Sequence, residues 1–124
     1  MRVPGAELLP YHGWRRCLRL DNGHVEVVVA LDFGIRILHF GPCGGPNQFY
    51  LDASARGGNG GKSWRLVGGH RLWAAPERKP YAPDNDPVGM RSLPGGIRLI
   101  QEPEPGTGLQ KELDLFLLPG FAGA

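Results

Sequence analysis

Between residues 17 and 40 the chain reads CLRLDNGHVEVVVALDFGIRILHF, three short apolar-alternating segments separated by two tight turn signals. Asn22-Gly23 readily takes the positive φ values that a close reversal requires, so CLRL (17–20) and HVEVVVAL (24–31) are expected to pair as a hairpin. In the second segment Val25, Val27, Val29 and Leu31 share one face and Glu26, Val28 and Ala30 the other, because successive strand side chains point to opposite sides. A turn at Asp32-Phe33-Gly34 leads into IRILHF (35–40), where alternation sets Ile35, Ile37 and His39 against Arg36, Leu38 and Phe40. Three strands in succession predict an antiparallel meander.

The rest of the chain supports the same class. Twenty glycines and twelve prolines among 124 residues leave little room for long helices. Further strands are predicted at WRLV (64–67), MRSL (90–93) and IRLIQ (97–101), the last two joined by Pro94-Gly95-Gly96. LQKELDLFLL (109–118) fits a helical stripe through Leu109, Leu113, Phe116 and Leu117, and fits strand alternation through Leu113, Leu115 and Leu117. Its all-β surroundings favour strand. GPCGGPN (41–47) and ASARGGNGGKS (53–63) read as loops. The expectation is one all-β domain over residues 1–124, an antiparallel β-sandwich.

Charge and cysteine usage exclude several functions. Fourteen basic against twelve acidic residues give a net charge of +2, which calls for neither nucleic acid nor membrane as partner. Arg15, Arg16 and Arg19 form the one dense basic patch, read as a solvated strand face. Cys17 and Cys43 lack C-x-x-C spacing and partner histidines at metal-ligand intervals, so free thiols are expected and no metal. No signal peptide or membrane span is legible, which suggests a cytoplasmic protein. RGGNGGKS imitates a phosphate-binding loop, but Arg56 stands where its first glycine should be and no strand-loop-helix context surrounds it. Asp32-Phe33-Gly34 is a turn without the rest of a kinase signature. His12, His24, His39 and His70 show no metal-ligand spacing, and a lone strand histidine such as His39 is usually packed or solvated. No cofactor is implied.

GGHRLWAAPERKPYAPDNDPV (68–88) is the segment that asks for a function. Gly68-Gly69 allows close backbone approach or a conformation closed to residues with a Cβ. His70, Arg71 and Trp73 then combine an imidazole, a guanidinium fork and an indole, the mixture of flat apolar faces and polar groups that suits sugars. Glu77, Tyr81, Asp84, Asn85 and Asp86 add polar groups, and four prolines stiffen the run. A structural account is also open, in which Trp73 plugs a core, Arg71 pairs with Glu77 or Asp84, and the prolines fasten a crossover.

NGHVEVVVALDFGIRILHFG, GGPNQFY, GGHRLWAAPE and YAPDNDPV together resemble the N-terminal part of a bacterial family in the galactose mutarotase-like (aldose 1-epimerase-like) superfamily, over about residues 17–115. The resemblance implies part of a large antiparallel supersandwich that binds a sugar or sugar derivative. It implies sugar contacts by His70 and Arg71, side by side, then Asn47; the chemistry of the segment adds Trp73, Glu77, Tyr81 and Asn85 as candidate contacts. Superfamily enzymes interconvert anomers with a histidine and a carboxylate drawn largely from later in a longer chain. Those are expected to be absent here, leaving at most a mutarotase-like activity without its base. A truncated sandwich would leave sheet edges open, so homodimerisation or pairing with another chain is the second expectation, as a non-catalytic interaction module.

Overall fold

The computed structural model describes residues 6–55, 57–58, 66–72, 86–104 and 108–119. It is all-β apart from one 3₁₀ turn at Ala53–Ala55. The strands are β1 (Glu7–Tyr11), β2 (Trp14–Asp21), β3 (Val25–Ala30), β4 (Arg36–Pro42), β5 (His70–Arg71), β6 (Gly89–Leu93), β7 (Gly96–Ile100) and β8 (Glu112–Phe116). They form a five-stranded antiparallel sheet in the order β1-β2-β3-β4-β5 and a three-stranded one in the order β6-β7-β8.

The predicted hairpin is β2–β3, with Leu20 opposite Val27. Gly23 has φ +86°, and the Asn22 carboxamide closes the turn by accepting from His24 N and Val25 N, each at 2.9 Å. Pro94-Gly95 joins β6 to β7, with Gly95 at φ +77°, and the ambiguous 109–118 segment supplies a strand. Sequence reading overlooked β1. His12 (φ +51°) and Gly13 (φ +88°) form a two-residue reversal that pairs β1 with an extended β2, although histidine in that conformation is uncommon.

Two expectations need correction. Of WRLV, residues 66 and 67 are described and lie outside any regular strand; Val67 O accepts from Asp52 N at 2.8 Å, and the strand comes later, at β5. In β4 a bulge skips Leu38, since Val28 faces His39 and Val29 faces Ile37. One extra residue reverses the alternation beyond it. Leu38 therefore joins Val28 and Ala30 on one face, while Ile37 and Phe40 pack with Val27 and Val29 on the other.

Both faces of the larger sheet are covered, and this explains why every residue of β3 except Glu26 is buried. On the inner face Leu18, Leu20, Val27 and Val29 pack against Ile97, Leu99 and Leu115 of the smaller sheet, which makes the fold a β-sandwich. The opposite face buries Trp14, Cys17, Val28, Ala30, Phe33 and Leu38 beneath chain that includes Ala55 and Val67. The smaller sheet covers only the middle of the inner face. In the row Leu8-Leu18-Val29-Ile37-His70 the three strand-centre residues are buried or half-buried, whereas Leu8 and His70 at the two ends are exposed.

Candidate functional site

Beside β8, where the smaller sheet runs out, a cleft of about 290 Å³ opens over β3 and β4. Val27, Ile37, Phe40, Phe49 and Leu115 line it, and none carries a polar side-chain atom. Phe40 and Phe49 form one wall, their ring centroids 6.2 Å apart and the planes tilted by 34°.

Asn47 builds that wall. Its Oδ1 accepts from Phe40 N (3.1 Å) and Phe49 N (3.0 Å), and its Nδ2 donates to Leu38 O (2.9 Å). The bulge leaves Leu38 without a partner in the β3–β4 register, and the carboxamide takes up its carbonyl together with the Phe40 and Phe49 N–H groups. The predicted sugar contact is thus engaged with backbone on both of its polar atoms.

Gly68 and Gly69 adopt φ +101° and +75°, and a Cβ on either would collide with a carbonyl oxygen, that of Tyr50 or of Ile37. This is the close approach expected from the glycine pair. The tight passage sets β5 against β4, with His70 opposite Ile37 and Arg71 opposite Arg36. Consecutive strand residues leave a sheet on opposite sides, so His70 shares the side of the cleft and Arg71 does not. The expected side-by-side presentation of imidazole and guanidinium is absent. On the Arg71 side, Arg36 lies over the Phe33 ring at 5.7 Å and donates to Gly68 O at 3.0 Å. Trp73, Glu77, Tyr81, Asp84 and Asn85 lie outside the described residues; Asp86 is exposed.

The far face of the sheet carries a polar cluster that the sequence did not disclose. Tyr11 Oη lies 2.9 Å from His39 Nδ1, and His39 Nε2 lies 3.4 Å from Glu26 Oε1 without hydrogen-bonding geometry. A carboxylate only accepts, which favours the proton on Nε2 and makes Nδ1 the acceptor of the tyrosine hydroxyl. Arg19 holds Glu26 through Nε at 2.8 Å and Nη2 at 2.6 Å, and also pairs with Asp21 at 2.7 Å. Burial lowers the His39 pKa first of all; Glu26 opposes that shift and Arg19 reinforces it. The side chains of His39 and Glu26 are only 8% and 13% exposed, so the cluster joins β1, β2, β3 and β4 and offers little surface to a ligand.

Among the described residues, no group of His, Cys, Asp and Glu is placed to hold a metal ion, and no helix is long and apolar enough to cross a membrane. Both cysteines are free: Cys17 is buried, with a thiol pKa pushed up to about 11 mainly by desolvation, and Cys43 is exposed. No family model matches the chain, and no curated protein or solved structure matches it either.

Proposed function

We propose that this chain binds a carbohydrate at the cleft beside β5, as the resemblance to galactose mutarotase-like proteins implies. The observation that carries the reading is the hydrocarbon cleft lined in part by Ile37, with exposed His70 paired opposite Ile37 on the same side of the sheet. A monosaccharide calls for both parts, an apolar surface for its C–H face and a polar group at the rim for its hydroxyls. The volume of about 290 Å³ lies at the lower edge of ligand pockets, roughly 300–1,000 Å³, and suits one ring better than an oligosaccharide.

Titrating the protein with a panel of aldoses, followed by backbone amide shifts, tests this. Saturable shifts at Ile37, Phe40 and Phe49 are expected. His70→Ala should weaken binding about five- to tenfold, the worth of one neutral hydrogen bond, and Arg71→Ala should change it less. Saturable binding unaffected by His70→Ala removes that residue from the site, and no saturable shift with any aldose removes the function.

A second reading rests on β8, the outermost strand of its sheet in the described residues, with half-exposed Phe116 and Leu118 at and beyond its end. A strand from a second copy or another protein would extend the smaller sheet over the same cleft. Light scattering across a concentration series separates the readings for a self-pair: sugar binding by a monomer favours the first, and a dimer that sugar does not dissociate favours the second.

A further inference from the structure

Resting on the carbohydrate reading above, we infer that the preferred ligand is an uncharged 6-deoxyhexose, held with its methyl group in the Val27-Ile37-Phe40-Phe49-Leu115 cleft and its hydroxyls toward His70 and solvent. The lining decides this. Five hydrocarbon side chains offer no donor or acceptor to whatever enters between them. A hydroxymethyl group placed there would give up its bonds to water and gain none from the described side chains, an unfavourable exchange for a buried hydroxyl. A methyl group in the same place loses no hydrogen bond and removes apolar surface from water.

Charge points the same way. A phosphate on C6 would enter hydrocarbon, and the register of β5 directs Arg71 to the other side of the sheet. Arg36 is on that other side as well, against Phe33 and Gly68 O. Lys111 is engaged with Leu72 O at 3.1 Å and Glu104 at 3.4 Å. Among the described residues the cleft side therefore presents one imidazole and no guanidinium, a poor reception for a dianion.

The test is a competition among matched sugars on the full chain, read by amide shifts or calorimetry: D-glucose against 6-deoxy-D-glucose, D-galactose against 6-deoxy-D-galactose, and glucose 6-phosphate. Each 6-deoxy sugar should bind about tenfold more tightly than its parent, the discrimination of a hydrophobic pocket for one small apolar group. Glucose 6-phosphate should bind no better than glucose. Phe49→Ser, at a half-buried loop position, puts a hydroxyl into the wall and should bring the deoxy-to-parent ratio to about one, with circular dichroism unchanged. Equal affinity within each wild-type pair, or tighter binding of the phosphate, overturns the deoxyhexose inference and leaves carbohydrate binding standing. Failure of every sugar to bind overturns both.

Discussion

Replacing Asn47 by alanine separates a residue that builds the cleft from one that touches a ligand. Three hydrogen bonds end on its carboxamide, at 2.9, 3.0 and 3.1 Å, and all three partners are backbone groups of Leu38, Phe40 and Phe49. A typical intramolecular hydrogen bond contributes about 1 kcal/mol net, and a donor left buried without a partner costs more. The site is part-buried, so water would recover some of the loss, and a destabilisation of about 3 kcal/mol follows. That is a large share of the roughly 5–15 kcal/mol that holds a domain folded. In urea, with a slope of about 2 kcal/mol per molar for a domain of this size, the midpoint should fall by about 1.5 M without a change of slope. Asn47→Asp keeps two acceptors and loses the donor to Leu38 O, so its midpoint should lie between the other two. A fall of less than about 0.25 M for Asn47→Ala would falsify the stapling role. If sugar affinity were lost at the same time, Asn47 would be a direct ligand contact instead.

Three further outcomes follow from the geometry. His39 has a lowered pKa, so the unfolded chain binds its proton more readily; stability is full above about pH 6.5 and declines as pH falls below it. The urea midpoint at pH 5 should be lower than at pH 7.5, and His39→Gln should flatten the difference, whereas an unchanged slope in that variant would assign the dependence elsewhere. Gly68→Ala places a Cβ against Tyr50 O at φ +101°, and should cost at least about 2 kcal/mol by thermal unfolding. A thiol reagent at neutral pH should modify Cys43 in the folded protein and reach Cys17 only after denaturant is added; two fast equivalents in the native state would contradict the burial of Cys17.

What the sequence made legible was whatever local chemistry decides. The Asn22-Gly23 reversal, the Pro94-Gly95 turn and the face assignment of β3 all follow from residues within a few positions of one another. β1 was missed because its pairing depends on His12 in a left-handed conformation, which is uncommon for any residue but glycine. The faces of β4 were misread beyond Leu38 because a bulge carries no reliable local signature; Asn47, nine residues beyond Leu38, satisfies the backbone there. The Tyr11-His39-Glu26-Arg19 cluster joins four strands. It becomes visible only after their register is known.

Register also accounts for the partial reading of the candidate site. His70 and Arg71 are adjacent in sequence and suggest one binding surface, but pairing with β4 turns adjacency into opposition across the sheet. In their place the fold brings His70 level with Ile37, thirty-three positions earlier in the chain, and Ile37 in turn lines the cleft with Phe40 and Phe49. A row of the inner face begins at exposed Leu8, is buried where the smaller sheet covers it, and ends at exposed His70. Cohesion claims the centre of the row, where hydrocarbon meets hydrocarbon. Only the ends are exposed, and of the two one carries leucine and the other imidazole. Of the two ends of this row, the second is the one that offers a ligand both a C–H surface and a polar partner, so the functional proposal follows from where the covering sheet stops.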